Sequence, residues 1–271
     1  MSIRQYNLGS IVKPGFNPLG VQTSVTTYQP YLYAWGAAAN AGQLGLGNST
    51  NYSSPKQVGS LTNWSKIAGS KEYATFAIKA DGTLWSWGQN SYGELGLGNG
   101  TFYSSPKQVG ALTNWLNVAG GREHTIATKT DGTLWAWGRN HVGQLGLNNT
   151  TSYSSPKQVG SLTTWVTVSC GQNFSFAIKT DGTLWALGGD NTIGQLGLNN
   201  STVASSPVQV GALTTWSNIS NGTAFTLATT TSGALWSWGV NTVGQLGLGN
   251  TVTAYSSPNH VVSKPTCLGL E

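Results

Sequence analysis

The chain repeats itself, and that limits what it can fold into more than any other feature. Tyr-Ser-Ser-Pro stands at Tyr52–Pro55, Tyr103–Pro106, Tyr153–Pro156 and Tyr255–Pro258, with Ala204–Pro207 as a variant. The prolines at 55, 106, 156, 207 and 258 are 51, 50, 51 and 51 residues apart. A tryptophan follows the first four, at Trp64, Trp115, Trp165 and Trp216. Asp-Gly-Thr-Leu-Trp comes next at Asp81–Trp85, Asp131–Trp135 and Asp181–Trp185, with Ser232–Trp236 divergent. A second tryptophan stands two residues on, at Trp87, Trp137 and Trp238, and Leu187 replaces it once. Gly-Gln-Leu-Gly-Leu closes the unit at Gly42–Leu46, Gly143–Leu147, Gly194–Leu198 and Gly244–Leu248; Gly93–Leu97 carries Glu94 in place of Gln. A period near 50 marks one supersecondary unit used several times, each copy unable to bury its apolar surface alone.

Each unit reads as short strands. Lys56-Gln57-Val58 follows a proline and suits an edge or first strand. Trp64 to Ala68 is a second run. In Thr75–Lys79, alternation puts Phe76 and Ile78 on one face and Ala77 on the other. Asp81-Gly82 is a hairpin turn, because glycine accepts positive φ without steric cost. Thr83–Trp87 returns with Trp85 and Trp87 on one face and Leu84 and Ser86 on the other. No window shows a 3.6-residue apolar period, so helix is minor. Four antiparallel strands per unit make a small sheet, and radial stacking of such sheets gives a β-propeller. Ala77, Ala127, Ala177 and Ala228 share one position, where a small residue permits close sheet-on-sheet approach. The tryptophans fill the opposite gap. Each removes about 150–250 Å² from water, worth about 4–6 kcal/mol before ordering entropy is deducted.

Composition excludes other classes. Only 8% of the 271 residues are charged, too few for a coiled coil or a disordered chain. No apolar run approaches the length of a spanning helix. The net charge of +5 is spread rather than clustered, so neither nucleic acid nor membrane is an expected partner. Met1–Ser10 has no apolar core of a signal peptide, which fits a cytoplasmic or virion setting. Cys170 and Cys267 have no metal-like spacing and read as free thiols.

The repeated Asp-Gly-Thr-Leu-Trp-x-Trp-Gly and the Gly-Gln-Leu-Gly-Leu-Gly after it resemble the repeat of the regulator of chromosome condensation (RCC1) family, from about Tyr31 to Val262. The resemblance implies an all-β propeller whose sequence units do not coincide with blades. Four whole units run Pro55–Gly88, Pro106–Gly138, Pro156–Gly188 and Pro207–Gly239. Tyr31–Gly36 and Asn259–Ser263 are left over. Joined, with middle strands from Val21–Tyr28, they give a composite closing blade. The expected architecture is therefore about five blades of four antiparallel strands over residues 30–271; an incomplete ring closed by another subunit is the alternative. Residues 1–29 lie outside the repeat and read as an extended arm. Its Ile3, Tyr6, Leu8, Ile11, Val12 and Phe16 suit docking on the propeller or on a neighbouring subunit.

Catalytic patterns are sparse. His124, beside Arg122 and Glu123, is the family's recurrent histidine, replaced at matching positions by Ala74, Phe174 and Phe225; it reads as structural. His141 reads as a loop residue. No zinc-ligand spacing or phosphate loop occurs, and Asp81, Asp131 and Asp181 are turn formers. No enzyme, cofactor or metal is expected. Repetition does produce arcs of equivalent surface groups. Lys56, Lys107 and Lys157 form one, Lys79, Lys129 and Lys179 another, and either can attract an anionic partner. Tyr52, Tyr103, Tyr153 and Tyr255 form a third that can stack on a partner surface or a sugar. The functional expectation is a non-catalytic binding or structural propeller in a large assembly, with a phage head-decoration, tail or fibre component as its setting. The alternatives are a glycan-binding lectin, and a guanine-nucleotide exchange factor or inhibitor propeller as found in part of the family.

Overall fold

The computed structural model describes residues 2–5, 31–38 and 41–261. Among them there are five antiparallel sheets and no helix. Sheet I holds β1 (Ser2–Gln5), β2 (Leu32–Gly36) and β3 (Tyr52–Gln57) in that order. Sheet II runs β4 (Trp64–Gly69), β5 (Ala74–Lys79), β6 (Leu84–Gly88) and β7 (Tyr103–Gln108). Sheet III repeats this with β8 (Trp115–Gly120), β9 (His124–Lys129), β10 (Leu134–Gly138) and β11 (Tyr153–Gln158). Sheet IV has β12 (Trp165–Cys170), β13 (Phe174–Lys179), β14 (Leu184–Gly189) and the short β15 (Val208–Gln209). Sheet V has β16 (Trp216–Asn221), β17 (Phe225–Thr230), β18 (Leu235–Val240) and β19 (Ala254–His260).

The five-blade expectation holds, but which strands share a sheet differs from the sequence reading. The Tyr-Ser-Ser-Pro strand does not open a blade. It closes the preceding one: Gln108 pairs with Trp85 and Tyr103 with Gly88. The Gly-Glu-Leu-Gly-Leu loop folds back over its own sheet, so the next stretch lands on that sheet's free edge. Proline is tolerated there, since an edge strand needs no inward N–H at every position. For the same reason Asn259 lies in β19, opposite Ser237 of β18. It does not join Tyr31–Gly36 in a composite blade. β2 instead pairs with β1, Ile3 opposite Ala34. Arg4 faces Tyr33 in this register as Ala77 faces Trp85 in sheet II. β1 thus holds the second-strand place, and no described residue fills the innermost place of sheet I. The proposed middle strands, Val21–Tyr28, lie outside the described residues.

Each sheet has a trailing face of tryptophans and a leading face of aliphatic and phenyl side chains. The two meet between consecutive sheets. Leu32, Ala34, Leu44 and Val58 of sheet I pack on Trp64, Ala77 and Trp87 of sheet II. Phe76, Ile78, Leu84, Leu95 and Val109 pack on Trp115, Ala127 and Trp137. The same arrangement joins sheets III and IV and sheets IV and V. The alternation read from Thr75–Trp87 therefore separates the two faces correctly, but Ala77 shares its gap with Trp64 and Trp87 instead of lying opposite the tryptophans, because Ala77 pairs directly with Trp85 across the sheet. Indoles meet edge to face: Trp115 lies 6.2 Å from Trp135 and 5.8 Å from Trp137, the geometry aromatic quadrupoles favour.

The Gly-Gln-Leu-Gly-Leu loop locks each interface. Trp87 Nε1 donates to the Gln43 carbonyl at 3.0 Å, and Trp137 Nε1 to the Glu94 carbonyl at 2.9 Å. Gly96 has φ +74°, and a Cβ there would sit 2.7 Å from Trp137 Nε1. Glycine is therefore required both by the backbone and by the indole. Where Leu187 replaces the tryptophan, the core is still closed, with Leu187 fully buried.

Trp137→Ala should cost about 3–5 kcal/mol, and Trp137→Leu markedly less, since leucine already serves at 187. Urea denaturation of both variants checks this; equal losses would contradict the packing described.

Candidate protein-binding face

The sheets present two ends. At the hairpin end the recurring charges are consumed by the fold. Asp81 Oδ1 accepts from the Thr83 amide at 3.0 Å and its hydroxyl at 2.6 Å, while Thr83 Oγ1 accepts from Trp85 Nε1 at 3.0 Å. Asp131 and Asp181 repeat this with Thr133 and Thr183. The bonds from threonine hold all three carboxyls below the usual aspartate range. Lys129 Nζ sits 3.6 Å above the Trp135 ring and Lys179 Nζ 3.7 Å above Trp185. Lys79 lies 5.8 Å from Trp85. This lysine arc is thus spent on indole faces, and burial pulls the Lys129 amine down.

The opposite end carries charges that do not recur. Here the turns 70–74, 121–124, 171–174 and 222–225 join first and second strands. They are linked in sequence: Lys71 N donates to Gly121 O at 2.9 Å, Arg122 N to Gln172 O at 3.0 Å, and Gln172 N to Thr223 O at 3.2 Å. Lys71 Nζ reaches from sheet II to the Asn221 carbonyl of sheet V. Arg122 pairs with Glu72 at 2.5 Å, and Arg139 with Glu123 at 2.5 Å. The Arg139 guanidinium also lies 4.6 Å from the centre of the Tyr92 ring. Beneath it Glu94 Oε2 accepts from the Tyr92 amide at 2.8 Å. Burial pushes the Glu94 carboxyl up, and the charge of Glu123 adds to this. Tyr73 and Tyr92 are 43% and 40% exposed. At matching positions sheet IV offers Gln172, Asn173 and Asp190, and sheet V offers Thr223, Ala224 and Val240. The face therefore grades from charged and aromatic at sheets II and III to nearly neutral at sheet V.

Below this face His124 is structural. Its Nε2 is 2.8 Å from Ser175 Oγ, which donates to the Gln144 carbonyl at 3.1 Å. Cys170 Sγ lies 3.8 Å from the same hydroxyl. The trio has the residue types of a nucleophilic site but the wrong environment. Complete burial drops the His124 pKa to about 3 and raises the Cys170 thiol to about 12. Both are neutral at ordinary pH, so neither a ready base nor a thiolate is present. Gly121 explains why the ring fits: a Cβ there would be 2.0 Å from the imidazole. Gly171 and Gly222 make the same room for Phe174 and Phe225. Among the described residues no group of three or more His, Cys, Asp or Glu is placed to hold a metal, and no helix is long and apolar enough to cross a membrane.

The tyrosine and lysine arcs read from the sequence are brought together on the outer strands. Lys56, Lys107 and Lys157 lie 5.7, 5.5 and 5.4 Å from the rings of Tyr52, Tyr103 and Tyr153. The Tyr52, Tyr103 and Tyr255 hydroxyls accept from Asn48, Asn99 and Asn250. A shallow cleft of about 270 Å³ lies at Tyr153 and Lys157. Of the arm residues, Ile3 falls in β1. Tyr6, Leu8, Ile11, Val12 and Phe16 lie outside the described residues, as does Cys267. Glu72, Tyr73, Tyr92, Glu94 and Arg139 do not recur, so the repeat gives no sign of them. The signal available was the reverse one, departure from the repeat at an otherwise bland position.

Two pH effects follow. The depressed His124 pKa lets the unfolded chain bind a proton that the folded chain refuses, so stability falls as pH drops below about 6.5. His124→Phe, a side chain already used at 174 and 225, should flatten that slope in thermal melts between pH 7 and pH 5; an unchanged slope would contradict the assignment. Glu94 has the opposite sign: its raised pKa means the charged form costs stability at neutral pH. Glu94→Gln should gain on the order of 1 kcal/mol there, a rise in Tm of roughly 2–4 °C. The gain should vanish as the pH falls far enough to protonate the wild-type carboxyl.

The profile of the regulator of chromosome condensation (RCC1) repeat matches residues 31–77, 81–128, 131–178 and 232–269. A second profile of that description matches residues 64–94 and 115–144. The E3 ubiquitin-protein ligase HERC2 of Homo sapiens is 34% identical over 90 residues, 32% of this chain and 2% of that protein. The ultraviolet-B receptor UVR8 of Arabidopsis thaliana is 37% identical over 81 residues, 29% of this chain and 18% of that protein. The chain therefore aligns with only a small part of these relatives. Human WBSCR16 superposes with a TM-score of 0.75 at 20% identity, over 87% of this chain and 65% of that one. Prp20p from Saccharomyces cerevisiae, described with its binding to Gsp1p and histones, superposes with a TM-score of 0.75 at 17% identity, over 88% of this chain and 60% of that one. These likenesses establish the fold. With repeats matched over more than half of its length, the chain belongs to the RCC1 repeat family.

Proposed function

We propose that the chain is a non-catalytic, protein-binding propeller, and that the face around Arg122, Glu123, Arg139, Tyr73 and Tyr92 is where the partner docks. The observation that carries this reading is the gathering of non-recurring charges and exposed tyrosines on one end of a molecule otherwise poor in charge. Aromatic and arginine side chains are the groups that anchor protein interfaces. Opposite charges held in pairs give such a face register and specificity more than raw affinity. The burial of His124 and Cys170 supports the absence of chemistry. Prp20p, described with its binding to Gsp1p and histones, is a precedent for protein binding on this fold.

A second reading is nucleotide-exchange regulation of a small GTPase, as the family resemblance implies. It calls for an acidic and polar surface, and the face has few uncommitted acids: Glu72 and Glu123 are paired with arginines. The outer arc of Tyr52, Tyr103, Tyr153, Tyr255, Lys56, Lys107 and Lys157 is the alternative docking surface, and surface glycan its alternative ligand. The narrower virion setting rests on composition and gains no support from the matched relatives.

Cross-linking in extract of the source cells separates the surfaces. Tyr73→Ala, Tyr92→Ala and Arg139→Glu combined should remove the cross-linked partner, while Tyr52→Ala, Tyr103→Ala and Tyr153→Ala combined should retain it. The reverse pattern would move the site to the outer arc. Acceleration of nucleotide release from a small GTPase would favour the regulatory reading.

A further inference from the structure

The leading face of sheet V is built like the others but has no cover among the described residues. Leu235 is 36% exposed, whereas Leu84, Leu134 and Leu184 at the same place are 0%. Phe225, Leu227 and Val261 are half-buried, although Phe76, Phe174, Val109 and Val210 at matching places are buried. The loop Gly244–Gly249 nevertheless repeats Gly-Gln-Leu-Gly-Leu-Gly of Gly42–Gly47 letter for letter.

In the other four copies this loop clasps the next sheet. A Cβ on Gly42, Gly93, Gly143 or Gly194 would lie 2.5, 2.4, 2.8 or 2.4 Å from Ser104, Ser154, Ser205 or Ser256 of the next outer strand. The amides of Gly47, Gly98, Asn148 and Asn199 donate to the carbonyls of those serines at 2.7–2.8 Å. The carbonyls of Gln43, Glu94 and Gln195 accept the next indole N–H. At Gly244 the nearest atom to a Cβ is Asn250 O of the same loop, 3.8 Å away. Among the described residues nothing takes the Gly249 amide. At the other end of the series, sheet I shows the groups such a clasp takes. Trp35, at the place of Trp87, is half-buried, and Ser53, at the place of Ser104, is exposed.

We propose that the leading face of sheet V docks head-to-tail on the trailing face of sheet I in a second copy of this chain. The contact continues an interface that the chain already builds four times, using the same loop and the same acceptor positions. A repeat array whose end lacks a polar cap leaves core surface in water, and a heterologous contact of this kind covers it. Among the described residues nothing fills the innermost place of sheet I, so β2 and β3 carry the contact and it is weaker than an internal interface.

The test uses the full chain with Cys267→Ser; the buried Cys170 thiol does not compete. Protein bearing Gly249→Cys is mixed with protein bearing Ser53→Cys under mild oxidation. Asn148 and Asn199 at the place of Gly249 indicate that a side chain is accepted there. A disulfide-linked pair should form in the mixture, increase with concentration, and be lost when Leu235→Lys is added to the first protein. Sedimentation velocity of the unmodified chain should show larger species with rising concentration, absent from Leu235→Lys. A monomer at every concentration would overturn the proposal. So would a link formed within one chain carrying both cysteines at all dilutions, since sheet V would then meet its own sheet I or be covered by the chain's own residues.

Discussion

The contact of indoles with the leucine and phenyl face of the preceding sheet is what the rest of the molecule depends on. A four-stranded sheet of some twenty strand residues has two apolar faces and no third layer of its own. Stacking sheets in series resolves this, because each face covers its neighbour. The glycines of the Gly-Gln-Leu-Gly-Leu loop follow from the same contact. They let the backbone approach the indole closely enough for its N–H to reach a carbonyl rather than be buried unpaired.

From this constraint the division of labour among charges follows. In sheets II, III and IV the recurring aspartates fix the hairpins through threonine, and Lys79, Lys129 and Lys179 lie over indoles. Charges that occur once are not demanded by the repeat. They collect on the turn end, where Arg139 bridges Glu123 and the Tyr92 ring. A surface that departs from its own repeat is where partner recognition is best sought. The face around Tyr73, Tyr92 and Arg139 stands out by this departure, not by the size of any cleft.

Much of the fold was legible because it is written several times. The alternation in Thr75–Trp87 gives both faces, Asp81-Gly82 the hairpin, and Ala77 the close approach. What could not be read was the partition of strands between sheets. Proline marks Tyr103–Gln108 as an edge strand, yet an edge can belong to the sheet before or after. The choice is made by the path of the Gly-Glu-Leu-Gly-Leu loop, which depends on φ values no residue pattern states. The same ambiguity misassigned Asn259 to a composite blade. The binding face was hidden for a different reason. Tyr92 and Arg139 lie far apart in sequence and meet only because loops of successive sheets stand side by side.

Local stability offers the most direct measurement of the account. Amide hydrogen exchange reports how strongly each sheet is held by its neighbours. If inter-sheet packing is the governing interaction, the amides of β5, β9 and β13, covered on both faces, should exchange slowest. Those of β17 and β18, with Leu235 open to water, should exchange fastest among the matching strands at low protein concentration. Uniform protection across the five sheets would contradict the claim that each sheet owes its stability to the one that follows it.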